Sequence, residues 1–169
     1  MESLSKIPDN SNVFIDANIF VYHFCASGDV VSDRCSDFLL RIESGLLSGF
    51  SCTSVIAESL HRAMIYEATN ITGLNAKQAI NMLRKKSDLI KQLKQYSKIP
   101  EKIIQIGVQI LSVTYQTILD SELWREKHGL MVNDSIIMAS MQSLKIDNFA
   151  TNDSDFDPIP NLEIWKPSL

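Results

Sequence analysis

The chain has 169 residues, of which 45% are hydrophobic, and a formal net charge of −4 at pH 7. This length and composition predict one globular domain over residues 1–169, and the negative charge by itself argues against a nucleic-acid-binding protein. The apolar runs are far shorter than the ~18 residues that span a bilayer, and no basic leader precedes an apolar block, so we expect a cytoplasmic protein without a membrane segment.

The first predicted element is a short buried strand that stops at a carboxylate. The run Val13–Ile15 is apolar, Asp16 follows it directly, and Asn18 ahead of Ile19 is typical of the N-cap of a helix. In open parallel sheets, ligands bind beyond the carboxyl ends of the strands, which is where Asp16 is expected. The order strand, acid, helix predicts the opening of an α/β fold.

The next elements repeat the strand–helix order. A helix is predicted from its cap at Ser32 to its end at Gly45, and residues 48–53 are predicted to form the second strand. The helix that begins at Ser54 carries Glu58 in its first turn or just past it. An acid at that position either stabilises the helix dipole by a few tenths of a kcal/mol or has a functional role, and the pattern leaves both open.

Positive charge is concentrated in residues 77–102. This segment has eight basic and two acidic residues, a local balance of +6, so the remainder of the chain carries −10. Hydrophobic spacing predicts a helix over residues 76–96 with most basic side chains outward, interrupted near Ile99-Pro100. If helix continues through this segment, four lysines form one row that either binds RNA phosphates or is a solvated face: Lys91, Lys94, Lys98 and Lys102.

A third strand is predicted over residues 108–113, followed by a helix through Lys127. The next helix, residues 135–141, has a nearly continuous apolar surface and is therefore expected to be buried. Asp134 precedes it. An Asp at this position is a helix cap by default, but its carboxylate is then held at the edge of the core.

The fourth predicted strand covers residues 145–150 and runs into an acidic turn. Asp153, Asp155 and Asp157 follow within a few residues, a pattern that simple turn chemistry can also explain. Residues 162–165 are predicted to form an edge strand.

Four acids are therefore expected at one edge of a parallel sheet: Asp16, Glu58, Asp134 and Asp153. Two carboxylates 4 Å apart repel each other by roughly 4 kcal/mol at an effective dielectric of 20, so such a cluster is unfavourable as architecture alone. A divalent cation removes this repulsion. Ligation by oxygen atoms alone favours Mg²⁺ or Mn²⁺ over zinc.

Four motifs in this order resemble the PIN-domain family of metal-dependent ribonucleases and, within it, the VapC-like toxins of toxin–antitoxin pairs. The matching segments are residues 13–18, 54–58, 133–139 and 150–156. The resemblance implies an α/β fold, a three-layer α/β/α sandwich with a mainly parallel sheet of four to five strands, and usually a homodimer. The chain departs from compact family members in the 75 residues that separate Glu58 from Asp134, and we expect the excess to form a helical basic insertion at about 74–106 of the PIN-like nuclease domain.

By this resemblance, the four acids form the catalytic and metal-binding quartet, with Asn18 and Thr151 supporting them and Asp155 as a fifth acid. The implied activity is hydrolysis of RNA phosphodiester bonds with Mg²⁺ or Mn²⁺. The implied partners are the RNA substrate, a small antitoxin protein and a second copy of the chain, although larger family members process RNA without an antitoxin.

Two other functions fit an acid after the first strand. One is an aspartyl-phosphate phosphatase, but that chemistry generally uses a second acid two residues later, where this chain has Asn18. The other is a non-catalytic RNA-binding scaffold that retains an acidic pocket. Four intact acids argue against the second alternative.

Overall fold

The structure is a computed structural model that describes residues 1–26 and 28–168. Within these residues the strands are β1 (Glu2–Ser3), β2 (Asn12–Ile15), β3 (Ser48–Cys52), β4 (Gln109–Leu111), β5 (Asn148–Ala150) and β6 (Glu163–Lys166). They form one sheet in the order β1-β6-β5-β2-β3-β4, and each neighbouring pair is parallel.

Helices connect and flank the strands. They are α1 (Ala17–Phe24), α2 (Val30–Glu43), α3 (Thr53–Thr72), α4 (Ala76–Lys85), α5 (Ser87–Gln92), α6 (Ile99–Gln105), α7 (Tyr115–Asp120), α8 (Glu122–His128) and α9 (Val132–Leu144), with short 3-10 turns at Leu4–Lys6 and Tyr96–Lys98. Helix α1 contacts both α2 and α3, and α7, α8 and α9 form a second group. No helix in the described part of the chain is both long and apolar enough to cross a bilayer.

The predicted α/β class with a parallel sheet is confirmed, and the sheet has six strands rather than four or five. The additional strand is β1, in which Glu2 lies opposite Trp165 of β6. A two-residue strand is too short to give an alternating hydrophobic pattern. Because β1 forms the edge, β6 is an interior strand, and the prediction of an edge strand there was wrong.

Packing in the core holds the carboxyl ends of β2 and β5 next to each other. Phe14 of β2 and Phe149 of β5 are fully buried, with ring centroids 6.1 Å apart. Phe149 also packs edge-on against Phe156 at 4.8 Å, which anchors the segment after β5. At the strand ends, the backbone N–H of Asp16 donates to the carbonyl of Ala150 over 3.0 Å. These contacts hold Asp16 next to the segment that follows β5.

The caps predicted at Asn18 and Ser32 were wrong, in each case because an upstream aspartate takes the role. Helix α1 is capped by Asp16, whose carboxylate accepts from the backbone N–H of Ala17, so Asn18 lies inside the first turn. Helix α2 is capped by Asp29, which accepts from the N–H of Ser32 over 2.8 Å. An ionised carboxylate at a helix start is also favoured by the helix dipole.

The continuous helix predicted over residues 76–96 is interrupted twice. Lys86 adopts a non-helical φ of −127° and ψ of 83°, which separates α4 from α5. After α5, the carboxylate of Glu67 on α3 accepts backbone N–H bonds from Lys94 at 2.7 Å and from Tyr96 at 2.9 Å. These donors are therefore turned towards α3 instead of continuing the α5 helix.

The predicted row of lysines was consequently wrong. Lys91 lies in α5 and pairs with Asp88 at 2.8 Å, Lys94 lies in the following loop, Lys98 in the 3-10 turn and Lys102 in α6. All four side chains are exposed. Their contact with RNA stays a prediction, but they do not share one helix face.

The C-terminal half follows the predicted order with shifted boundaries. Strands β4 and β5 have three residues each, shorter than predicted. The helix expected to run to Lys127 is divided into α7 and α8 at Ser121, whose hydroxyl donates to the carbonyl of Ile118 over 2.6 Å. Helix α9 begins at Val132, so Asp134 lies within the first turn and is not the cap.

Gly49 of β3 permits close packing of α2 on the sheet. A Cβ atom there would lie 3.0 Å from the side chain of Ile42 and 3.1 Å from that of Ile15, both buried. We expect Gly49→Ala to lower the free energy of unfolding by about 1–3 kcal/mol through overpacking. The measurement is urea denaturation, with Ser48→Ala at the exposed neighbouring position as a control that should stay within about 0.5 kcal/mol of wild type. Equal stability of Gly49→Ala and wild type would contradict this packing.

Candidate metal centre

The four predicted acids lie around the carboxyl ends of the parallel strands. Asp16 follows β2, Asp153 follows β5, Glu58 lies in the second turn of α3 after β3, and Asp134 lies in the first turn of α9. The charges of Glu58 and Asp153 act on Asp16, and those of Asp153 and Glu58 act on Asp134. Glu58 and Asp153 therefore lie close enough to affect the ionisation of both Asp16 and Asp134.

Asp16 is the most buried of these acids, with 6% of its surface exposed. One carboxylate oxygen accepts the N–H of Ala17 over 2.6 Å, and the other accepts the Thr151 hydroxyl over 2.6 Å and the Asn18 amide. Burial raises the pKa of Asp16 to about 6; the bonds from Thr151 and Ala17 oppose this rise, and the neighbouring acids add to it. Ionising a buried carboxyl group costs free energy, and a nearby cation would remove that cost.

Thr151 and Asn18 connect the two halves of the site. The Thr151 hydroxyl, which donates to Asp16, also accepts from the backbone N–H of Asp153 over 3.0 Å and from the Asn18 amide over 3.1 Å. The Asn18 carbonyl accepts from the N–H of Asn152 over 3.1 Å. These bonds fix the orientation of Asp16 relative to the segment that carries Asp153.

Asp134 is half-buried, and the pKa of its carboxyl group is also raised. Burial raises its pKa to about 6, and repulsion from Asp153, Asp155 and Glu58 adds to the rise. Asp155 itself is exposed, and its backbone N–H donates to Asp153 over 2.9 Å. The exposed fifth acid therefore contributes charge and orients Asp153.

Glu58 has a different environment from the other acids. Its carboxylate lies 3.6 Å from Arg62, one turn further along α3, and about a third of its side chain is exposed. An exposed pair of this kind contributes little to stability. The Glu58 carboxylate is therefore held only weakly by Arg62.

Sequence reasoning did not identify Lys166 as part of this region. Its ammonium group lies 2.8 Å from Asp157, and Lys166 is 9% exposed at the end of β6. The pair ties the acidic segment after β5 to the neighbouring strand. A lysine that ends a strand just after an acidic turn is too weak a signal to predict this pair.

The donor set fits a hydrated hard cation. The candidate ligands are carboxylate oxygens, which suit Mg²⁺ or Mn²⁺. Among residues 1–26 and 28–168, no three Asp, Glu, His or Cys side chains lie close enough to form a ready cage for an ion. Mg²⁺ does not need such a cage, because it usually keeps several waters and binds through one or two carboxylates and substrate phosphates.

The geometry does not favour the phosphatase alternative. An aspartyl-phosphate phosphatase generally uses a second acid two residues after its nucleophilic aspartate. Here Asn18 occupies that position and its amide donates to Asp16.

Comparison with known proteins gives a consistent result. The sequence model of the PIN domain matches residues 13–162. Ribonuclease VapC6 of Methanocaldococcus jannaschii is 28% identical, and the match covers 92% of this chain and 97% of the relative.

Solved structures share the fold. VapC20 of Mycobacterium tuberculosis, described as a sarcin-ricin loop cleaving toxin, superposes with a TM-score of 0.55 at 17% identity, covering 90% of this chain and 98% of that one. A chain from a toxin–antitoxin complex of Klebsiella pneumoniae superposes with a TM-score of 0.52 at 16% identity, covering 92% and 97%.

Proposed function

The chain belongs to the PIN domain family, and from this membership we propose that it is an endoribonuclease that depends on Mg²⁺ or Mn²⁺. The observation that carries the proposal is the placement of four acids around the carboxyl ends of the parallel strands, with Asp16 buried there. A relative named as a ribonuclease supports the substrate class. Glu58 and Asp153 raise the cost of ionising both Asp16 and Asp134, so the cluster is unfavourable without a cation.

In this proposal Asp16 and Asp134 hold the ion, with Glu58 and Asp153 completing the quartet. A bound divalent ion supplies a water of lowered pKa and neutralises charge on the phosphate. Thr151 and Asn18 keep the Asp16 carboxylate in one orientation. The hydrogen bond from Asp155 does the same for Asp153.

Substitution of Thr151 tests this positioning. Thr151→Val keeps the side-chain shape but removes the hydroxyl that donates to Asp16 and accepts from Asp153. We expect the affinity for Mn²⁺ to fall about 10- to 100-fold, the usual effect of losing a partner of a metal ligand. Calorimetric titration measures it, and Thr72→Val at the far end of α3 is the matched control. Unchanged affinity in Thr151→Val would contradict the assigned role.

The substrate class is tested with purified protein and a panel of single-stranded transcripts. We expect internal cleavage of RNA and no release of inorganic phosphate from small phosphoesters. A protein that hydrolyses a small phosphoester and cleaves no transcript would overturn the proposal in favour of the phosphatase class.

We further propose that the enzyme acts as the toxin of a toxin–antitoxin pair. The name VapC of the sequence relative and the description of the Klebsiella pneumoniae complex support this proposal. A gene for a small DNA-binding protein directly upstream is the expected genomic arrangement. Its absence would instead favour an RNA-processing role.

A homodimer is the third element of the proposal. Large apolar side chains are exposed on α7, α8 and the start of α9, and such a patch marks an interaction surface. They are Tyr115, Ile118, Leu119, Leu123, Met131 and Val132. A second copy of the chain is the partner that we propose for this surface.

A further inference from the structure

A second cavity lies away from the acidic quartet, between the end of α1, the middle of α3 and the segment from the 3-10 turn into α6. Its volume is about 210 Å³, smaller than the roughly 300–1,000 Å³ of sites for drug-sized ligands, and none of the four acids lines it. We call it the aromatic pocket, and the residues that define it are Phe24, Tyr66, Asn70, Gln95, Tyr96 and Lys102.

Three aromatic side chains give the pocket its chemistry. Phe24 and Tyr96 are partly buried and pack against the hydrophobic core, so they form fixed walls. Tyr66 is 39% exposed and is available to a ligand. The ammonium group of Lys102 lies 5.6 Å from the centre of the Phe24 ring. Aromatic faces next to a cation suit a planar ring that carries a negative charge nearby.

The two helices that lead to the pocket both start at the acidic quartet. Helix α1 begins beside Asp16 and ends at Phe24, and α3 carries Glu58 and, eight residues later, Tyr66. At a rise of 1.5 Å per residue, Tyr66 lies about 12 Å along α3 from Glu58. Arg62 is between them, 3.6 Å from Glu58. A bound strand that reaches from the acids to the pocket therefore passes a cation.

The carboxylate of Glu67 also lines the pocket and is bonded to the backbone of the pocket wall. Glu67 accepts backbone N–H bonds from Lys94, Gln95 and Tyr96. Burial alone would raise the pKa of Glu67, but these bonds outweigh it and lower the pKa. Three backbone donors therefore face the Glu67 carboxylate, whereas Lys102 is exposed to solvent.

We propose that the aromatic pocket binds one unpaired base of the RNA substrate, stacked on Tyr66, with Lys102 at a neighbouring phosphate. The proposal rests on the ribonuclease function and adds that the substrate is single-stranded where it leaves the acidic quartet. A purely apolar peptide would use the rings but not the cation or the rim amides of Asn70 and Gln95. The charge next to the rings favours a nucleotide.

The test compares two probes in the presence of chelator: a fluorescent oligouridylate and an abasic ribose-phosphate oligomer of equal length. We expect wild-type protein to bind the oligouridylate more tightly in fluorescence anisotropy. Tyr66→Ala should lose about 5- to 100-fold in affinity for the oligouridylate, the range for loss of one base–aromatic stack, and little for the abasic oligomer. Tyr66→Phe should keep the wild-type preference.

Two further variants separate the effect of base stacking from that of charge and of a general surface change. Leu40→Ala removes an apolar side chain that is 59% exposed on α2, outside both the pocket and the proposed dimer surface, and should change neither affinity. Lys102→Gln should weaken binding of both oligomers equally and reduce the slope of log affinity against log salt by about 0.7.

Several outcomes would overturn the proposal. One is equal affinity of wild-type protein for the two oligomers. Another is a Tyr66→Ala variant that prefers the oligouridylate as strongly as wild type does. The third is a Tyr66→Ala variant that loses affinity for a protein partner but not for the oligouridylate. Base-dependent binding without cleavage of any RNA in Mn²⁺ would contradict the ribonuclease function and leave the pocket assignment standing. Cleavage without base-dependent binding would do the reverse.

Discussion

Replacing Asp134 with Asn should lower the affinity for Mn²⁺ by more than about 100-fold, because loss of a ligand exceeds the 10- to 100-fold cost of losing a ligand's partner. The substitution keeps the shape of the side chain and removes one negative charge from a position that Asp153, Asp155 and Glu58 also make negative. Calorimetric titration of metal-free protein measures the change. Asp37→Asn on the exposed face of α2 is the matched control and should bind like wild type.

Asp16→Asn should also lose Mn²⁺ binding, but this substitution changes a hydrogen bond as well as the charge. An amide at position 16 would present a donor to the Asn18 amide, which now donates to the carboxylate. Part of its effect would therefore come from a broken hydrogen bond. If Asp134→Asn and Asp16→Asn both bound Mn²⁺ as tightly as wild type, the assignment of the metal site would be wrong.

In the absence of metal, Asp134→Asn should be more stable than wild type at pH 7.5. The pKa of Asp134 is raised from 3.8 to about 6, so the folded state holds this proton more tightly than the unfolded state. The group therefore destabilises the fold progressively as pH rises from about 4 to 6, and the full penalty is present above that range. A shift of this size, discounted for partial exposure, corresponds to about 1–2 kcal/mol.

The measurement is urea denaturation in chelator at pH 4.5 and pH 7.5. The advantage of Asp134→Asn over wild type should be small at the lower pH and reach its full size at the higher one. Excess Mn²⁺ should reverse the order, since a ligand at 100 times its Kd stabilises the wild-type fold by about 2.7 kcal/mol. A variant that is less stable than wild type at both pH values without metal would contradict the proposed repulsion.

Local patterns predicted the central strands and the order of the elements, but not contacts made over long sequence distances. The apolar run Val13–Ile15 identified β2 because a buried strand needs those residues. The interruption after α5 depends on Glu67, which lies 27 residues before Lys94 along the chain. Nothing in the spacing of the lysines indicates that bond, and the predicted row failed for this reason.

The site was more predictable than the surface around it. Parallel strands place their carboxyl ends at one edge, so the acids after β2 and β5 were expected to be neighbours. The resemblance to the PIN-domain family is confirmed by the match over residues 13–162. The precise hydrogen bonds were not predictable. Asn18 caps no helix but bonds to Asp16, and the pair of Lys166 with Asp157 depends on how the acidic segment folds back.

Cleavage of single-stranded RNA by metal-free protein, before and after addition of Mn²⁺, tests the central claim most directly. We expect wild-type protein to cleave only after Mn²⁺ is added and to stop when chelator is added. Asp134→Asn, folded and at least as stable without metal, should remain inactive in both conditions. Cleavage by wild type in chelator, or cleavage by Asp134→Asn at the wild-type rate, would contradict the account of the acids as a metal-dependent ribonuclease site.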